Sequence, residues 1–446
     1  MKNAVAGLGL APDAAMVTFP MDMFLPGSDL GPLKARRREF YHGLTRWKSD
    51  FAQAEAGASA MLAVEGATYG EALTRANNLL LTNLWGDGLP LWPATRERAD
   101  WILQGAALPR THVIGKFPPR GGVTTVETCA VALAMAGGRP EYLPVLIAAV
   151  EACLDPATFF DQLQATSGGP FPVVIVSGPI AKEIRVNSGF GCLGPDPQRP
   201  AGASIGRALR LLQQNLGGAL PGTGTMAIYG AMRYTNVVLA EDEDALPGGW
   251  PPHATERHGF APGTNSVSVF FASGVTNIRR RGAKKETPEE DVRNGLWRMA
   301  DFMRTPNLAA LAGWEHGTPG MMMIPPVVAQ TMAELGWTKH SVREFLWENS
   351  KIPMELLRRA GAPAWIEIDA NPVTRDSIKL DPWPISATPG NIVFIVAGGS
   401  HPTHAHWLQA HSPRVTGRVV RVPETFDRLL ADADRDLGCG AGACRI

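Results

Sequence analysis

Three of the ten histidines in this 446-residue chain, His401, His404 and His406, stand close together just after the apolar run NIVFIVAGG. Neutral imidazole is the usual nitrogen ligand of zinc, iron or copper, and a loop leaving a buried strand holds such ligands rigidly. The same residues also fit a hydrogen-bonded or solvated cluster, because no acidic partner stands beside them. A second reactive group closes the chain. Cys439 and Cys444, in GCGAGACRI, form a dithiol on a Gly-rich end that can reach a site, exchange disulfides or hold a soft metal. The plain alternative is an idle tail. A third group is WPPHATERHGF, where His253, Glu256, Arg257 and His258 gather. A histidine beside a carboxylate is a proton-transfer option, with His258 the candidate acid or base, and a packed or surface role is the alternative.

Anion binding is expected in the stretch GKFPPRGGVTTVETCAVALAMAGGRPEYLPVLIAAVE, residues 115–151. Thr124 followed by Glu127 has capping-box spacing and predicts a helix over 125–136. Free N–H groups and the positive end of the helix dipole then fall near Gly121, Gly122 and Val123, with Lys116 and Arg120 at hand for a carboxylate or phosphate. Equally, Glu127 only caps and Arg120 only bridges loops. The β-rich run PFPVVIVSGPI predicts a strand, and ligands of α/β sheets gather beyond the carboxyl ends of strands, which makes Ser177 and Asn187 binding candidates. Arg207 follows on an amphipathic helix.

The elements that position these groups are helix-rich. Two helical patterns precede Asn83, and the helix of RERADWIL is N-capped by Thr95. The alternating NSVSVFFA predicts a half-buried strand. The fold expected is mixed α/β with short strands, in two similar-sized halves around a polar cleft. The divisions expected are an N-terminal helical segment 1–83, a core domain 84–276, a charged linker 277–290, a C-terminal domain 291–438 and the dithiol tail 439–446.

Composition narrows the function classes. With 42 basic and 42 acidic residues the net charge is zero, and the short basic run from Arg279 offers no broad phosphate-binding face, so nucleic acid is not an expected partner. No window approaches the roughly 18 apolar residues of a membrane span, and the start MKNAVAGLGLAPDAAMV has no uninterrupted signal-peptide core. Five cysteines, with Cys129 and Cys153 inside apolar helical runs, do not form a secreted disulfide framework, and a reducing cytoplasm is the expected location. The oligomeric state is left open, a homo-oligomer included.

Several blocks in order, WGDGLPLWPATRERADWIL, the 115–151 stretch, VIVSGPIAKEIRVNSGFGCLGP, SIGRALRLLQQNLGG and ATERHGF to SVSVFF, resemble a bacterial family related to the second half of the UGSC proteins or to their partners. The resemblance covers roughly residues 84–275, with an echo at IVFIVAGG. It implies thiol or selenol chemistry on a small molecule, and a polar pocket shared by Arg120, Glu127, Glu141, Asn187, Arg207, Glu241 and Arg257. This chain has no Cys-Gly-Ser-Cys, and Gly138 stands where family members often have Cys. The first functional expectation is therefore an enzyme of small-molecule sulfur chemistry: Lys116, Arg120 and Arg207 hold an anion and Cys439 and Cys444 supply the thiols, with a thiol-bearing protein as a conceivable partner. The second is a metal-dependent lyase or hydrolase using His401, His404 and His406, with Glu127 or His258 as acid/base. The third is a noncatalytic carrier whose tail another protein loads.

Overall fold

The computed structural model describes residues 27–46, 61–230, 236–282, 285–306, 314, 317–411 and 414–438. The chain folds as two compact units, Met1–Asn83 and Leu84–Ile446. In the first unit, helices Gly31–Ala35, Arg37–Thr45 and Tyr69–Thr82 bury no residue fully. The last is started by Thr68, whose hydroxyl accepts from the Glu71 N–H.

The second unit is built on one mixed sheet. Its strands are β3 (Phe171–Ser177), β4 (Val237–Ala240), β5 (Ser266–Arg279), β6 (Gly320–Ile324), β7 (Val393–Val396), β8 (His404–Ala410) and β9 (Thr416–Val419). A separate hairpin joins β1 (Val113–Phe117) and β2 (Gly122–Thr125). The large sheet runs β4-β3-β5-β8-β6-β7, with β9 also on β5. β3 and β4 are parallel and β5 returns antiparallel to β3; β6 and β7 are parallel and β8 returns antiparallel to β6. The chain therefore follows the same three-strand path twice, and the two halves join where β5 pairs β8.

The sheet curls until its outer strands approach each other. Val173, Leu239, Phe270, Met321, Ile395 and Leu408, one from each of six strands, share a single buried cluster. An open flat sheet could not collect one face of both edge strands into one core. The Asp242 N–H donates to the Val396 carbonyl at 2.8 Å and links the two edges. Alternation sends Met322, Ile324, Phe394 and Trp407 to the outer face, where they pack with Leu296, Met299 and Leu346 of helices Pro288–Met303 and Lys339–Asn349. Helix Leu143–Cys153 is apolar all round and buries ten of its residues, as a helix covered on all sides must.

The mixed α/β character is as the sequence suggests, while the division at 277–290 is different. β5 runs unbroken to Arg279 and the sheet continues across both halves. The charged run is not an exposed linker at Arg280, which is 1% exposed. Its guanidinium donates to the Asp291 carboxylate at 2.6 Å, the Asp291 carbonyl at 3.0 Å and the Pro402 carbonyl at 2.9 Å. Full hydrogen bonding is what allows a charge to be buried.

If the six strands share one core, Phe270→Ala removes a ring from its centre. We expect a loss of about 3–5 kcal/mol, read as a lower urea midpoint for the full chain. A loss below about 1 kcal/mol, the range of surface changes, would contradict the closed core.

Candidate functional site

The anion site expected at residues 115–127 does not form. β2 extends to Thr125, so the helix is Val126–Met135 and its capping box joins Thr125 and Thr128 instead of Thr124 and Glu127. Its first N–H groups are already taken: Val126 donates to the His112 carbonyl, Glu127 to the Arg110 carbonyl and Thr128 to the Thr125 hydroxyl. A helix start with occupied donors has nothing to offer an anion. Glu127 pairs with Arg110 at 2.5 Å. Arg120 donates to the Thr223 carbonyl at 3.4 Å and lies against Gly218, where an added Cβ would come 2.4 Å from its side chain. Lys116 is exposed on β1. Arg207 makes a two-point ion pair with Asp87 at 2.7 and 2.9 Å and also holds the Pro90 carbonyl.

Asn187 is buried; its amide donates to the Phe190 carbonyl and to Asp196, and its side-chain oxygen accepts from the Gly189 N–H. These bonds organise a loop. Ser177 is buried at the end of β3, and the next residue, Gly178, donates to Glu243 at 3.0 Å. His401 and His404 both hold the Thr403 hydroxyl at 2.8 Å. Among the described residues no group of three or more His, Cys, Asp or Glu is placed to hold a metal ion, so His401, His404 and His406 do not make the expected ligand set. Cys439 and Cys444 lie outside the described residues. The described cysteines, Cys129, Cys153 and Cys192, are buried, and burial pushes the Cys192 thiol up to about 11 and the other two higher. None is a thiolate at neutral pH.

What the fold does bring together is the region of His253, Glu256, Arg257 and His258. β4 ends at Ala240, and the next residue, Glu241, carries a side chain with 0% exposure. One carboxylate oxygen accepts from Lys339 Nζ at 2.8 Å, and the other accepts from the His253 N–H at 2.6 Å. Lys339, 1% exposed, also donates to the Pro251 carbonyl at 2.7 Å. Glu241 thus anchors the first residue of helix His253–His258 and the first residue of helix Lys339–Asn349 at one point. One turn later in each helix come Arg257 and Arg343, because residues four apart share a face.

These two helices, the loop into β7 and the chain before β9 wall a cavity of about 340 Å³. Its polar lining is His253, Glu256, Arg257, Arg343 and Arg414, and its apolar lining includes Ile392, Phe394 and Val415. Arg257 is held by the carbonyls of Gly390 at 3.1 Å and Gly317 at 3.2 Å. Glu256 pairs with Arg343. Of the nine buried side-chain atoms that have no hydrogen-bond partner among the described residues, two belong to residues that line this cavity: His253 Nε2 and Arg343 Nε. Buried polar groups are rarely left so, and a partner from outside the chain is the ordinary explanation at a cavity wall.

The imidazoles here are neutral at pH 7. Burial, then the nearby charges of Lys339, His258, Arg257 and Arg343, hold His253 well below its ordinary value. Burial, then Arg257 and Arg418, lower His258 to about 4. His258 Nε2 already meets the Ser268 hydroxyl at 2.9 Å, and its ring stands edge-on to His253 with centroids 6.1 Å apart. His258 is therefore a neighbour that shapes the site, and His253 is the imidazole with a ring nitrogen to spare. Of the residues singled out in the sequence, the fold places His253, Glu256 and Arg257 on the cavity and His258 beside His253. Arg343, Arg414, Lys339 and the apolar wall carry no sequence signal, since each is an ordinary residue of its own segment until the sheet closes.

Two measurements check this geometry. Glu241→Gln keeps an acceptor for the His253 N–H but strands a buried Lys339 charge, and we expect a loss of about 3–5 kcal/mol in urea unfolding. Adding Lys339→Met removes the stranded charge, so the double variant should be more stable than Glu241→Gln alone; losses that simply add would contradict the pairing. Separately, His258 folds with a pKa below its unfolded value of about 6.5. The folded protein stays uncharged there while the unfolded chain takes up a proton, so this stability is complete above about pH 6.5 and is lost as pH falls toward 4. The urea midpoint should drop less between pH 6.5 and 5 in His258→Gln than in the unaltered protein, and equal drops would contradict the lowered value.

No family model, no curated protein and no solved structure matches the chain, so the site stands on its own geometry.

Proposed function

We propose that the protein is an enzyme that seats a small anionic molecule against Arg257 and Arg343 and moves a proton with His253. The observation that supports it is one cavity that joins several guanidinium groups to a buried neutral imidazole whose Nε2 has no partner among the described residues. A neutral imidazole can accept a proton, and a guanidinium beside it stabilises negative charge that develops as the proton leaves. The site also couples binding to basicity: an anion on Arg257 and Arg343 offsets the positive charges that depress His253, so the imidazole becomes a stronger base when substrate is present.

The reading keeps the anionic substrate expected from the sequence and moves it from the Lys116 and Arg120 region to the Arg257 and Arg343 cavity. The sulfur chemistry implied by the resemblance would depend on Cys439 and Cys444. The proton-transfer reading does not require them.

Deuterium uptake gives a direct test. In D₂O, carbon-bound hydrogens next to the carboxylate of a bound acid should exchange in the presence of the protein, followed by proton NMR. His253→Asn should slow that exchange by about 10²–10⁴-fold, the usual contribution of a positioned acid or base, with binding of the acid retained. Exchange at the same rate in His253→Asn would refute the role of His253.

A further inference from the structure

The two helices that open the described chain, Gly31–Ala35 and Arg37–Thr45, bury none of their residues. Their apolar side chains are nonetheless large. Leu30, Leu33, Phe40, Tyr41 and Leu44 are all exposed, Leu44 to 70%. Within helix Arg37–Thr45 these residues do not scatter. Leu44 follows Phe40 by four positions and Tyr41 by three, so the three form one stripe, and Arg38 and His42 fall on another face. Single exposed apolar residues are ordinary on any protein. An aligned aromatic and aliphatic stripe on one short helix instead marks a surface that meets a partner.

The charge around the stripe sets the kind of partner. Between residues 27 and 46 stand five basic residues, Lys34, Arg36, Arg37, Arg38 and Arg46, against two acidic ones, Asp29 and Glu39, an excess of three positive charges. Glu39 is engaged by Arg36 at 2.7 Å. The chain as a whole has a formal net charge of zero, so this excess is local and favours an anionic partner. Arg37 distinguishes among anionic partners, because it lies in the stripe itself, four residues before Tyr41, with its guanidinium 5.3 Å from the centroid of the Tyr41 ring. A protein groove would have to supply a carboxylate within its apolar floor to keep that charge. Nucleic acid would satisfy the arginines and leave Phe40 and Leu44 against water. A phospholipid surface serves both: the acyl boundary takes Phe40, Leu44 and the body of Tyr41, while Arg37 reaches back to the phosphates. No helix among the described residues is long and apolar enough to cross a membrane, so the contact is with the surface alone.

We propose that residues 30–46 form a docking face for an anionic phospholipid membrane, with Phe40, Tyr41 and Leu44 at the acyl boundary and Arg37 and Arg38 on lipid phosphates. The face belongs to the first compact unit and the His253 cavity to the second, so this proposal stands or falls independently of the proton-transfer reading.

Sedimentation of the full-length protein with vesicles tests this, using phosphatidylcholine alone and phosphatidylcholine mixed with phosphatidylglycerol. The mixed vesicles should bind at least about tenfold tighter, and Arg37→Glu combined with Arg38→Glu should abolish that preference. Phe40→Ser combined with Leu44→Ser keeps every charge and should weaken binding to the mixed vesicles by at least about tenfold. All four residues are exposed, so neither double variant disturbs a buried contact. No binding to either vesicle, equal binding to both, or undiminished binding by either double variant would each overturn the proposal. A single-stranded RNA oligonucleotide that binds tighter than the mixed vesicles, and loses affinity in the Arg37 and Arg38 variant, would make the face a nucleic-acid surface and overturn it as well.

Discussion

The architecture of the cavity depends on one fully buried ion pair. Glu241 and Lys339 have 0% and 1% side-chain exposure and lie 2.8 Å apart, where neither charge could stay without the other. Glu241 follows β4 in the first half of the sheet, and Lys339 opens the helix that crosses from β6 to β7 in the second. Glu241 also takes the Val396 N–H at 3.3 Å and the His253 N–H at 2.6 Å. The pair therefore fixes the junction of the curled sheet's two edges and the starting points of both helices that wall the cavity. An isolated charge there would disrupt the fold. The paired charges orient His253 on one side and Arg343 on the other.

The two halves repeat one strand path but differ in what they insert. Between β4 and β5 the first half has residues 241–265, which contain the helix carrying His253, Glu256 and Arg257. Between β7 and β8 the second half has only 397–403, including His401 and Thr403. The cavity lies where the longer insertion of the first half meets the crossover helix of the second. The sheet itself contributes the apolar wall at β7 and a rigid frame, and the polar groups come from the connections, which is how α/β proteins usually divide the work.

Local physics in the sequence disclosed part of this. The strand of PFPVVIVS and the buried helix of LPVLIAAVEAC follow from continuous apolar runs, and Thr95 caps its helix as its type suggests. The resemblance drew attention to Glu241 and Arg257, and composition to the His253–His258 cluster. What stayed hidden depends on long-range closure. Nothing local reveals that Lys339 is buried, since lysine at a helix start normally faces water, nor that Arg343 will meet Glu256 from a distant segment. The error at the Val126 helix has the same origin. Its sequence shows a helix start with basic neighbours, but only the packed structure shows that the carbonyls of Arg110 and His112 have already taken the free donors. Arg207 was misleading for the same reason, as its guanidinium is engaged by Asp87 from a distant segment.

The central claim is that an anion meets His253 and Arg343 in the cavity between the two halves. Protein labelled with ¹⁵N in its ten histidines and titrated with succinate, observed through ring-nitrogen resonances assigned by single replacements, tests it most directly. The His253 ring nitrogens should shift in proportion to saturation, with a smaller response at His258 and none at His401 or His404. Binding that leaves His253 unmoved, or that perturbs His401 and His404 instead, would place the anion elsewhere and contradict the claim.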